Sequence, residues 1–156
     1  REALHVTLCF LGHVAAEAVG EIGAIALSFT PRPVSLELQP DPVPIPPRRP
    51  RLLVASAVSE AAVGLQAELS ERLAEAGHYK LEERAFWPHV TLARMRPERR
   101  GHRRPAQLEQ PLTPLPNAVL ERFHAVRATL YRSRLRPAGA VYEPLAGLEL
   151  PGAQAA

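Results

Sequence analysis

Cysteine is almost missing from this chain: Cys9 is the single one among 156 residues. One thiol cannot close an intramolecular bridge, so no disulfide framework holds the fold. Lysine is almost missing too. Lys80 stands alone, and the rest of the 19 basic residues are arginine. Arginine grips phosphate in a planar fork that lysine lacks, which suits a phosphate-bearing partner. A GC-rich genome produces the same bias with no functional cause. No apolar run reaches the length of a bilayer span, and no stretch has the layout of a secretory signal. A cytoplasmic protein with no membrane attachment is expected. His13, His78, His102 and His124 lack metal-ligand spacing, so the sequence points to no metal and no cofactor.

What is present is ordinary for a globular domain: 46% hydrophobic residues, 22% charged, and a formal charge of +3. The length suffices for one domain or two small lobes with a real core. Glu2 to Leu11 reads as a strand closed by Gly12, and Ala15 to Phe29 as a helix weakened by Gly20 and Gly23. Val34 to Leu38 alternates like a half-buried strand. Gln39 to Pro50 carries six prolines and reads as a loop. Leu52 to Val58 is an apolar strand. Ser59 then caps a helix with a stripe of Ala62, Leu65, Leu69, Leu73 and Ala76, stopped by Gly77. A strand ending near Met95, a basic loop from Pro97 to Pro105, and a Pro-broken stretch from Gln107 to Ala118 follow. Val119 to Arg132 reads as a strand, or a short helix running into one. The turn Arg136 to Gly139 and a last strand, Ala140 to Leu150, close the chain. Mixed helices and hairpin-linked strands favour an α+β antiparallel arrangement.

The tetrapeptide His-Val-Thr-Leu occurs twice, at His5 to Leu8 and at His89 to Leu92. Both copies lie in strand-like runs. Side chains alternate along a strand, so His5 and Thr7 share one face while Val6, Leu8 and Phe10 take the other. His89 and Thr91 stand in the same relation to Val90 and Leu92. One His-x-Thr is more often structural than functional. Two in one chain suggest two related units.

These motifs resemble those of the two-histidine (2H) phosphoesterases, and most closely the LigT-like RNA 2′,3′-cyclic phosphodiesterases. Leu4 to Gly12 is similar to their first motif and Pro88 to Arg94 to their second. Leu130 to Leu135, with Gly139 and Tyr142, is similar to their closing hairpin. The resemblance implies two pseudo-symmetric lobes, each a small antiparallel sheet with outer helices, around a central cleft. It covers residues 1–150 as one two-lobed domain, with 151–156 a frayed tail. Family members carry a strand and a helix ahead of the first motif, and this sequence opens at Arg1 without them.

Opening a cyclic phosphate requires a base for water, an acid for the departing oxygen, and donors for the phosphoryl oxygens. Histidine can fill either proton role near neutrality, and threonine hydroxyls can donate to phosphoryl oxygens. The resemblance implies His5 as acid, His89 as base, Thr7 and Thr91 as donors, a 2′-phosphate product, and 2′–5′ ligation in reverse. Its substrates are RNA with 2′,3′-cyclic phosphate ends, or cyclic nucleotides. It implies phosphate or nucleotide binding by Arg94; strict alternation puts Arg94 opposite His89, so it needs a bulge or a strand end to reach in, and an arginine covering the outer side of the sheet is the alternative. Tyr131, Arg132 and Ser133 belong to the third similar run. Trp87 offers a face on which a base could stack, with core packing as the alternative. Cys9 shares the His5 face of a regular strand. A small buried residue is favoured there over a thiol nucleophile. The arginines from Arg94 to Arg104 form either a solvated loop or a grip on RNA phosphates. A monomer is expected. Two other functions compete: a non-catalytic module that binds RNA ends, and a metal-dependent phosphoesterase. The first has no need of two histidines. The second would want more acidic residues near the motifs.

Overall fold

The computed structural model describes residues 4–95, 111–136 and 139–152. The basic stretch 96–104, the start of the Pro-broken segment and the tail from 153 lie outside the described residues. The chain divides into two compact units. One is made of Arg1–Leu8, Leu36–Glu60 and Phe86–Phe123; the other of Cys9–Ser35, Ala61–Ala85 and His124–Ala156. The α+β architecture with antiparallel sheets agrees with the sequence expectation.

The first unit is organised by the strand Leu52–Val58, β3 in chain order. Its run of apolar residues buries Val54, Ala55 and Ala57. Three strands pair with it antiparallel: β1 (Ser35–Leu38), β2 (Val43–Ile45) and β4 (His89–Arg94). A two-residue strand, β5 (Phe123–His124), follows β1 in the sheet order. β2 corrects the sequence expectation, which made 39–50 a loop throughout. Val43 pairs with Val54 and Ile45 with Leu52, with Pro44 between them. β2 lies at an end of the strand order, and an edge strand tolerates proline because one side of its backbone needs no partner.

The first motif is also not the long strand expected. It contributes one isolated antiparallel bridge, Val6 to Val90. Extending that ladder by two residues would bring Leu8 to Pro88, which has no N–H to donate. The Pro88 carbonyl already accepts from the Ala57 N–H at 2.9 Å. The chain bends at Leu8 and passes through Gly12 with φ of 71°, a conformation that suits glycine. With the alternation ended, Phe10 is 75% exposed instead of facing a core.

The second unit holds two helices and a hairpin. Helix α1 (Val19–Ala26) follows a single 3₁₀ turn, Ala16–Ala18, and is shorter than its periodicity predicts. Helix α2 (Glu60–Glu75) buries Ala62, Leu65 and Leu73 of the expected stripe. Its end is a Schellman cap. The His78 N–H donates to the Leu73 carbonyl at 2.8 Å and the Gly77 N–H to Ala74 at 2.9 Å, with Gly77 at φ 76°. Arg32 and Arg72 bind Glu68 of α2 at 2.8 and 2.7 Å. The hairpin pairs β6 (Arg127–Arg136) with β7 (Gly139–Glu149) from Arg127↔Glu149 to Arg136↔Gly139. No helix among the described residues is long and apolar enough to cross a membrane.

Candidate active site

Both His-x-Thr motifs belong to the first unit. His89 starts β4, directly opposite Ser56 of β3. Its ring is fixed locally. Nδ1 lies 2.8 Å from the Trp87 carbonyl oxygen. A carbonyl has no proton to give, so Nδ1–H is the donor, and in the neutral ring Nε2 keeps its lone pair. The imidazole is thereby set in the tautomer that can accept a proton at Nε2.

Trp87 packs against the same ring, with centroids 4.9 Å apart and planes tilted by 30°. Its indole N–H donates to the Ser56 hydroxyl oxygen at 2.8 Å. Ser56 was not singled out from the sequence. Only the strand register reveals it, and register is a tertiary fact.

The Val6–Val90 bridge fixes the relation between the motifs. In antiparallel register the flanking residues pair crosswise. His5 therefore falls beside Thr91 and Thr7 beside His89, on the face opposite the two valines. Val90 is buried, His5, His89 and Thr91 are half-buried, and Thr7 is exposed.

Arg94 departs from strict alternation. Thr91 pairs with Val54 and Ala93 with Leu53, which leaves Leu92 as one extra residue in β4. Such a bulge shifts the alternation by one position. Arg94, paired with Leu52, returns by register to the face of His89 and Thr91, and it is exposed.

The hairpin residues belong to the second unit and separate by face. Ser133 pairs with Tyr142 and Tyr131 with Pro144, so these four share one side. Tyr131 and Tyr142 meet edge to face at 6.1 Å and 73°. Arg132 lies on the other side, with its Nη2 2.7 Å from Glu143 Oε1 and its Nε 3.1 Å from Oε2. The hydrogen bonds from Arg132, with the charge of Arg134, hold the Glu143 carboxyl below its ordinary range. Tyr131 and Arg132 are therefore not brought together on one face.

Cys9 belongs to the second unit and is half-buried. Burial pushes its thiol up to about 11; a hydrogen bond with Gln66 opposes this and the Glu82 charge adds to it. A thiol so raised is a poor nucleophile at neutral pH. Among the described residues no three His, Cys, Asp or Glu side chains converge as metal ligands would.

In its fold and its paired motifs the chain is similar to LigT-like two-histidine phosphoesterases. The RNA 2′,3′-cyclic phosphodiesterase of Methanocaldococcus jannaschii is 29% identical over 146 residues, covering 92% of this chain and 78% of that protein. The crystal structure of TT0787 of Thermus thermophilus superposes with a TM-score of 0.74 at 26% identity, over 97% of this chain and 80% of that one. E. coli LigT complexed with 3′-AMP gives 0.69 at 25% identity, over 96% and 78%. No family model matches the chain.

Proposed function

We propose that this protein hydrolyses 2′,3′-cyclic phosphate ends of RNA, or the corresponding cyclic nucleotides, to 2′-phosphomonoesters. The observation that carries this is the Val6–Val90 bridge, which supports a single site built from both motifs. The activity named for the M. jannaschii relative and the 3′-AMP bound by E. coli LigT support the substrate class. In this reading His89 Nε2 takes the proton of water as it attacks phosphorus. His5 gives a proton to the departing 3′ oxygen. The hydroxyls of Thr7 and Thr91 donate to the phosphoryl oxygens, and Arg94 supplies a cation. The tautomer imposed by the Trp87 carbonyl favours His89 as the base. With the 5′-hydroxyl of a second RNA end in place of water, the same step forms a 2′–5′ bond: His89 takes the hydroxyl proton, the bond from phosphorus to the 3′ oxygen breaks, and His5 protonates that oxygen, the proton roles being unchanged.

The test is turnover of 2′,3′-cyclic AMP with product identified by phosphorus NMR. A 2′-phosphate that disappears in both His5→Ala and His89→Ala supports the reading. A 3′-phosphate, or turnover that survives both changes, overturns it. Binding without turnover would identify a module that holds RNA ends.

A further inference from the structure

We infer that Trp87 is a positioning residue for His89, not a stacking platform for a nucleobase; this rests on the assignment of His89 as general base. Two contacts converge on one imidazole, and a third anchors the indole that makes one of them. The Trp87 carbonyl accepts from Nδ1–H at 2.8 Å. The indole ring lies against the imidazole at 4.9 Å and 30°. The indole N–H is itself tied at 2.8 Å to Ser56, the residue directly across the ladder from His89.

Each contact removes a different freedom. The carbonyl fixes which nitrogen is protonated and resists rotation of the ring about its bond to Cβ. The indole blocks the imidazole from swinging to one side. Ser56 stops the indole from moving away, and does so from the strand that pairs with the backbone of His89. A general base must be held to within about 0.5 Å of its working position, and loose packing around it loses rate. The indole face also meets the imidazolium formed when the base has taken its proton, and a ring face attracts a cation. Trp87 would have to give up this arrangement to offer a base the face that now lies against His89. Its N–H edge and one face are already engaged.

Trp87→Leu should lower kcat roughly 10–100-fold, the scale of a small misplacement of a catalytic group. KM should stay within about twofold for both 2′,3′-cyclic AMP and 2′,3′-cyclic CMP, because no substrate contact is lost. Trp87→Phe keeps a ring and loses the N–H, so it should recover most of kcat. Ser56→Ala should match Trp87→Phe, and the double variant should be no worse than either, since both remove the same hydrogen bond. The ring-nitrogen NMR shifts of His89 give a second readout. They should report one tautomer, Nδ1–H, in wild type and Trp87→Phe, and an average of two in Trp87→Leu, where the residue-87 carbonyl remains but the ring, no longer held by the indole, is free to swing away from it. A rise in KM with kcat held, larger for adenine than for cytosine, would make Trp87 a base-stacking residue. Unchanged kcat together with an unchanged tautomer in Trp87→Leu would remove the positioning role. If wild type turns over no cyclic phosphate, the hydrolase assignment fails. The tautomer in Trp87→Leu then still decides whether the tryptophan holds the ring.

Discussion

Val6 and Val90 are bridge partners, and each is flanked by the histidine and threonine of its own motif. A single backbone pairing thus brings two sequence-distant copies of His-Val-Thr-Leu onto one face. The valines turn the other way, and Val90 is 7% exposed. The core half of each motif fixes the position of its chemical half. A slip of one residue in this pairing would exchange the two faces.

The histidines should be separable by kinetics. His5→Ala and His89→Ala should each lower kcat by roughly 10²–10⁴, the usual worth of one general acid or base. Folding should survive in both, because the bridge and the sheet are held by the valines and by backbone bonds. Wild-type activity should rise and then fall with pH, since one imidazole must be neutral and the other protonated. His89→Ala should lose the limb that reports the base. A bell unchanged in that variant would move the base elsewhere.

The threonines should act on the height of that profile more than on its position. Thr7→Val and Thr91→Val nearly keep shape and remove a donor. Each should cost about 1–3 kcal/mol of transition-state stabilisation, by analogy with hydrogen bonds to charged groups. The measurement is kcat/KM on one cyclic nucleotide. Equal activity in either variant would mean that hydroxyl does not reach the phosphoryl group.

Much of this site was legible in the sequence, because period-two alternation assigns faces without knowledge of the fold. His5 with Thr7, and His89 with Thr91, needed only that rule. Arg94 needed more. Alternation put it opposite His89, where only a bulge or a strand end could bring it back, and the place of that bulge, at Leu92, is a mismatch between two strands that neither shows alone. Ser56 was hidden for the same reason. β2 was hidden because its Pro44 argues against a strand, and only its place at the end of the strand order makes that proline harmless. Helix α2 was read well because its stripe, its start at Ser59 and its Gly77 stop are all local signals.

Arg94 should respond to its register as well as to its own replacement. Arg94→Ala should raise KM for a cyclic nucleotide roughly tenfold or more, the order expected for losing one charge-assisted contact. Arg94→Lys should recover part of that, since lysine keeps the charge and lacks the fork. An alanine inserted between Ala93 and Arg94 moves Arg94 one place along the ladder, off its pairing with Leu52 and onto the opposite face, and should mimic Arg94→Ala in KM while leaving the protein folded. If the insertion is silent, the guanidinium does not depend on its register to reach substrate.

Chelation should leave turnover unchanged. Every proton in the proposed reaction is moved by an imidazole, and the phosphoryl charge is met by Thr7, Thr91 and Arg94. Activity lost to a chelator and restored by zinc or manganese would favour metal-assisted hydrolysis.

Cys9 gives a pH-dependent test that needs no substrate. Its thiol is pushed from 9.0 up to about 11, chiefly by burial. At pH 8 the thiolate fraction in the folded protein is then only about 10⁻³, so alkylation by iodoacetamide should be slow. The rate should climb steadily above pH 9 and jump when the chain is unfolded in urea. The same shift has a sign for stability. Below the unfolded value both states carry a neutral thiol, and the contribution is fully present. As pH rises from about 9 toward 11 the unfolded chain ionises first, and stability is lost across that window. Urea unfolding of wild type and Cys9→Ser between pH 7 and 11 should show the wild type losing stability more steeply in its upper part. Turnover of a cyclic nucleotide by Cys9→Ser should match wild type at neutral pH, since a protonated thiol has no part in the proton transfers. Rapid alkylation of the folded protein at pH 7, together with lost turnover in Cys9→Ser, would reinstate the thiol as a reactive group.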